Sequence, residues 1–281
     1  MPEPHNSFEL VQFETRLVAA RLERAEQHFE AFGEARAAYL DTKPHRLVRT
    51  IEIDGTVVVR LERASPLPVE LSIEFGELLY ELRAALDNSL YAVAVITSGE
   101  SPPPQAGRLE WPIRETAKEW GSQAKRYSEL PPEIVAALEA IQPYGVTTPG
   151  WNCLAILHEL ARLDRHRSPH RLALYLSHVR CFVDPMLGDI VRVRESGVVE
   201  EGDELVRVRV NDGEFVSPEN FDYDAEFEVE ATDVRESIGP NGRSGRPWGS
   251  LDNRLPALIE ATRGYAVDLI DLAHDHAAPH R

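Results

Sequence analysis

Three groups of polar residues in this chain have the types and spacing that chemistry would need: Arg83 with Asp87, His158 with Glu159, and Asp164 with His166 and Arg167. An arginine four residues before an aspartate forms an ion pair on one helix face. A guanidinium can also hold a phosphate, and a histidine titrates near neutral pH and can serve as acid or base. Any hydrolytic chemistry would therefore fall to Arg83, His158 and His166. A second reading comes from where the charges sit. Winding 153–167 at about 100° per residue puts Cys153, Ile156, Leu157, Leu160 and Leu163 on one apolar face, with Asp164 and Arg167 inside the same arc. A charge on a core-facing stripe is costly unless it is paired and hydrogen-bonded. The expectation is one structural network of Arg83, Asp87, Glu159, Asp164, His166 and Arg167.

These residues need long helices to carry them, and the hydrophobic period supplies such helices. Segment 8–39 reads as an amphipathic helix. Residues 45–63 alternate about Asp54-Gly55, a strong hairpin signal. Segment 69–97 is a second helix with the stripe Leu71, Phe75, Leu78, Leu82, Leu86, Val93 and Ile96. It has a second covered side at Gly76, Tyr80, Leu90, Tyr91 and Ala94, and a wetter flank at Glu74, Glu77, Glu81 and Asn88. Pro131-Pro132 open a short helix that Gln142-Pro143-Tyr144-Gly145 stops. After the helix over 152–168 the period drops to two. Strands are expected over 172–182, 190–199, 205–210 and 227–234, and 238–249 reads as a mobile loop before a closing helix over 255–274. The fold class is α+β: a long-helix bundle with an N-terminal hairpin and an antiparallel sheet in the C-terminal half. The expected organisation is a helical part over 1–170 containing the hairpin 46–63, a β region over 171–250, and a helix over 251–281 packing back on the helical part, as one integrated domain.

Composition narrows the function classes. The 281 residues carry a formal net charge of −17, which argues against broad binding to nucleic-acid backbones. No window is apolar enough for a membrane span, and Met1-Pro2-Glu3-Pro4-His5 lacks the layout of a secretory signal. Cys153 and Cys181 read as buried thiols of a reducing compartment, so a cytoplasmic protein is expected. The basic residues are almost all arginine, with lysine only at 43, 118 and 125, a bias that suggests a GC-rich bacterial genome. No P-loop, dinucleotide fingerprint or G-x-S-x-G occurs, so no cofactor is implied. His158-Glu159 is not part of an H-E-x-x-H motif. His166 and His170 with Glu159 have metal-compatible spacing, but Ser168-Pro169 end the helix between them, and a hydrogen-bonding role for His166 is favoured. His274, His276 and His280 lie in a polar tail and imply no metal site.

Four short motifs carry a resemblance. Leu82-Arg83-Ala84-Ala85-Leu86-Asp87-Asn88, Trp111-Pro112-Ile113, Ile141-Gln142-Pro143-Tyr144, and Leu157-His158-Glu159-Leu160 through Asp164-Arg165-His166-Arg167 resemble an uncharacterised bacterial family. Its members read L-R-x-A-L-D-H, F-P-I, Q-P-Y and L-H-E-L ending in D-K-H-R. This chain departs from that pattern at Asn88, Trp111 and Arg165. The family's R-x4-H is in turn similar to the motif of HEPN-type helical proteins, many of them ribonucleases. Only Arg83 carries over, because Asn88 cannot act as a base near neutral pH. Two function classes follow. The first is a non-catalytic interaction or structural protein with a buried charged network, acting with a protein partner or by self-association. The alternative is a HEPN-like ribonuclease of a toxin or defence system, inactivated by Asn88.

Overall fold

A computed structural model describes residues 7–166, 172–232 and 236–278, and their side chains except at 7–10 and 162–166. In chain order the elements are α1 (Ser7–Asp41), β1 (His45–Ile51), β2 (Val57–Arg63), α2 (Val69–Ser98), α3 (Ala117–Gln123), α4 (Pro132–Ala140), α5 (Cys153–His166), β3 (Leu172–Val183), β4 (Gly188–Val193), β5 (Gly197–Val198), β6 (Glu204–Val210), β7 (Phe221–Ala231), β8 (Ser237–Ile238), β9 (Ser244–Gly245) and α6 (Leu251–Ala277). The fold is α+β with antiparallel sheets, as the change of period implied. No helix among the described residues is long and apolar enough to cross a membrane.

The chain divides into two units. One comprises Met1–Ala31, Ile73–Pro169 and Val234–Arg281; the other comprises Phe32–Ser72 and His170–Asp233. In the first, helical unit, α1 and α2 are joined by Arg21, whose Nη1 reaches both carboxylate oxygens of Glu81 at 3.1 and 2.9 Å, and by His28 to Glu74 at 2.7 Å. Arg263 of α6 binds Glu26 of α1 at 2.6 Å. The expected α2 stripe is buried along its whole length. Each of its Leu and Phe side chains contributes about 1.5–3 kcal/mol over an exposed one, far more than any surface ion pair. Two expectations for α2 are corrected. Tyr80 is exposed, with the Arg21 guanidinium over its ring, and Glu81 is buried because Arg21 neutralises it.

The second unit is built from two sheets, ordered β1-β2-β6-β4 and β5-β3-β7. Val57, Val59 and Leu61 of β2, Val206 and Val208 of β6, Leu174 and Leu176 of β3, and Phe221 of β7 share one apolar cluster, so the inner faces of the two sheets meet as in a sandwich. The hairpin turns at Gly55, where φ is +82°, a conformation glycine adopts without steric cost. Gly188 lets β4 pass β6 closely, because a Cβ there would sit 2.0 Å from the Arg209 carbonyl oxygen. Outside the cluster, Arg60 and Arg207 bind Glu52 at 2.9 and 3.0 Å and hold its carboxyl below the usual range.

Several boundaries differ from expectation, among them the start of β7 at Phe221, six residues before the expected 227. The hairpin pairs through β2 with β6, so it belongs to the sheet-bearing unit and not to the helical part. Segment 190–199 is two strands: β4 pairs with β6 as far as Val193, with a bulge between Ile190 and Arg192, and Gly197-Val198 pairs with β3. Segment 238–249 contains the β8–β9 ribbon and is tied down by α6 and Trp151, as described below.

Candidate functional site

Residues 110–114 run extended between α2 and α3, without a strand partner to take their backbone polar groups. Trp111, Pro112 and Ile113 are nevertheless buried, and a buried amide or carbonyl must find a partner. The motif side chains supply several. Arg83 of α2 is 4% exposed, and its Nη2 donates to the Trp111 carbonyl at 2.6 Å. Asp87, one turn later, accepts from the Trp111 amide at 2.8 Å through the oxygen that lies 3.5 Å from the Arg83 guanidinium. One helical turn thus holds the donor and the acceptor of a single residue. The spacing of four is what places both side chains on that face. Glu110 adds a second carboxylate 3.5 Å from Arg83.

Gln142 performs the same task two residues on. Its Nε2 donates to Pro112 O at 3.1 Å and Leu138 O at 2.7 Å, while its Oε1 accepts from the Arg114 amide at 2.8 Å. It lies at the end of α4 and is fully buried. Tyr127 donates to Glu110 O at 2.7 Å and accepts from Gln123 Nε2 at 3.0 Å. Burial pushes the Tyr127 hydroxyl up from its ordinary pKa, which keeps it a neutral donor. Gln123 Oε1 in turn accepts from the Arg114 guanidinium, whose Nη1 donates to Ile113 O at 2.7 Å. The Arg83–Asp87 turn, Trp111-Pro112-Ile113 and Gln142 therefore form one clasp. Gln142→Leu keeps the side-chain volume but strands two carbonyls and an amide. It is expected to cost about 2–4 kcal/mol in urea unfolding and to abolish hydrogen-exchange protection at the Arg114 amide. Retained protection would show that Gln142 does not hold the segment.

Tyr144, the third residue of the Gln142 motif, turns back onto α4. Its hydroxyl bonds Glu139 at 2.8 Å, and burial together with that carboxylate pushes it up to about 12. The fourth motif lies on α5, where Asn152 caps the helix by accepting from the Leu154 and Ala155 amides at 2.9 and 3.3 Å. Cys153, Leu154, Ile156, Leu157, Leu160 and Ala161 are buried, while His158 and Glu159 are half-buried. Burial pushes the Cys153 thiol up to about 12, so it is no thiolate nucleophile. Asp164 and His166 belong to α5, but their side chains lie outside the described residues, as do Arg167, His170 and His280. Of the expected network, the structure brings together Arg83 and Asp87. Among the described residues no three His, Cys, Asp or Glu converge as metal ligands.

Sequence reasoning missed Arg254. It is fully buried on α6, donating from Nε to Pro247 O at 2.9 Å and from Nη2 to Gly249 O at 2.5 Å. It anchors the turn in which Trp248, at φ +61°, donates its indole N–H to Trp151 O at 2.8 Å. The signal was present: Arg254 stands between Leu251 and Leu258 on the apolar face of α6, the same anomaly that marks Asp164 on α5.

No family model, curated protein or solved structure matches this chain.

Proposed function

We propose that this is a cytoplasmic bacterial protein with a non-catalytic interaction or structural role, in which the motif residues around Arg83 brace the helical unit. One observation carries the reading: Arg83, Asp87 and Gln142 direct their hydrogen bonds to backbone atoms of the extended 111–114 segment. A catalytic arginine must meet substrate, whereas this one is buried against Trp111. Asn88, one residue beyond the clasp, is half-buried and supplies no base.

The ribonuclease alternative makes an opposing prediction. If only the histidine of R-x4-H were lacking, Asn88→His would restore RNA cleavage. The expected result is no cleavage of single-stranded RNA by wild type or by Asn88→His, because the same helix presents Glu77 to solvent in a strongly acidic chain. Robust cleavage by purified Asn88→His, abolished again by Arg83→Ala, would replace the structural reading with the ribonuclease one.

A further inference from the structure

Beyond that role, we propose that a cavity beside the clasp binds the phosphate group of a small phosphomonoester. The cavity has a volume of about 440 Å³ and is lined by Arg114, Lys118 and Arg126, with Thr116, Ser122, Gln123 and Glu119. That volume suits a small molecule. Three cationic side chains among the lining residues suit an anion in preference to a neutral group.

The cavity gathers three cations that have no carboxylate partner among the described residues. Arg21, Arg83, Arg194, Arg207 and Arg263 are each matched to a carboxylate. Arg114, Lys118 and Arg126 make no ion pair among the described residues, although the protein as a whole carries −17. Three unpaired cations around one hollow repel each other, and a dianion between them removes that cost. The one acid in the wall, Glu119, accepts from the Glu115 amide at 3.2 Å and leaves the lining with three cations against one carboxylate, and its own amide donates to Thr116 Oγ1 at 3.2 Å. The Thr116 hydroxyl uses its oxygen as the acceptor there and keeps its hydrogen as a donor.

Arg114 is fixed in advance, unlike an ordinary surface arginine. Gln142 holds its amide, while Ile113 O and Gln123 Oε1 hold its guanidinium from the protein side. The stacked rings of Trp120 and Tyr127, 6.2 Å apart, stiffen the segment beneath. A guanidinium whose rotamer is already set loses less entropy on gripping an oxyanion. Lys118 and Arg126 are exposed and supply mobile charge at the rim.

The test uses the full chain and two probes, inorganic phosphate and phenyl phosphate, titrated at constant ionic strength with calorimetric and 31P NMR detection. Saturable binding of both probes is expected in the millimolar range or tighter, weakened about tenfold or more by Lys118→Gln and by Arg126→Gln. Lys125→Gln removes the same charge from a neighbouring exposed residue outside the cavity and should leave affinity within about twofold of wild type. All three substitutions are at exposed positions, so equal melting temperatures will confirm that each variant is folded. Absence of saturation, or equal weakening by Lys125→Gln and Lys118→Gln, would reduce the cavity to diffuse surface charge and overturn the proposal. Neither result bears on the clasp, whose residues stay unchanged in these variants.

Discussion

Arg83→Met is expected to destabilise the helical unit by about 3–5 kcal/mol, the range found when one partner of a buried charged pair is removed. The methionine fills most of the space but leaves the Trp111 carbonyl without the donor that Arg83 places 2.6 Å away. It also leaves Asp87 without the guanidinium 3.5 Å from its carboxylate. The Asp87 side chain is 29% exposed, so water softens its share, and the loss should fall in the lower half of that range. Adding Asp87→Asn to Arg83→Met should cost less than the two single losses combined, with a coupling of about 0.5–3 kcal/mol, because both act on Trp111. Urea unfolding followed by circular dichroism measures all three variants. If Arg83→Met unfolds with wild type, the clasp is not what holds the 110–114 segment.

Arg254→Leu should have an effect of comparable size by a different route. The guanidinium is fully buried and grips the carbonyls of Pro247 and Gly249 on either side of Trp248. Trp248 sits at φ +61°, which for a bulky residue costs about 1–3 kcal/mol and persists only when the surroundings enforce it. Without Arg254 those carbonyls lose charge-assisted donors and the turn can relax. A loss of about 3–5 kcal/mol is expected, together with a red shift of tryptophan emission as Trp248 releases Trp151 O. Arg254→Lys should recover little, since one ammonium cannot reproduce the fork that meets two separate carbonyls. Full recovery by lysine would mean that charge alone matters and that the fork geometry is incidental.

Much of the scaffold was legible because its signals are local. The period of 3.6 along 8–39 and 69–97, the Asp54-Gly55 turn and the Pro131-Pro132 start each depend on residues a few positions apart, and α1, the β1–β2 hairpin, α2 and α4 appear where they imply. Non-local pairing was not legible. Nothing within 45–63 says that β2 will pair with β6, and nothing within 190–199 says that Gly197-Val198 will leave for β3. The site shows the same division. That Arg83 and Asp87 sit on a contact face follows from helix spacing. That they serve the backbone of Trp111 does not, because an extended segment advertises no partner in its own sequence. Tyr80 and Glu81 were placed on the wrong sides because Arg21, sixty residues earlier, recruits both.

The pairing of β2 with β6 also sets a timetable for synthesis. The hairpin leaves the ribosome early, yet the strand that completes its sheet, joining Val57 to Val208, follows far behind. At about 5–20 residues per second the wait is on the order of ten seconds. Throughout that interval Val57-Val58-Val59 is an apolar β-forming run with one unpaired edge, the kind of segment that associates with other nascent chains. The native register therefore leaves the newborn chain with an open edge until β6 arrives, so slowing synthesis between the two strands is expected to lower the yield of folded protein without changing its final stability.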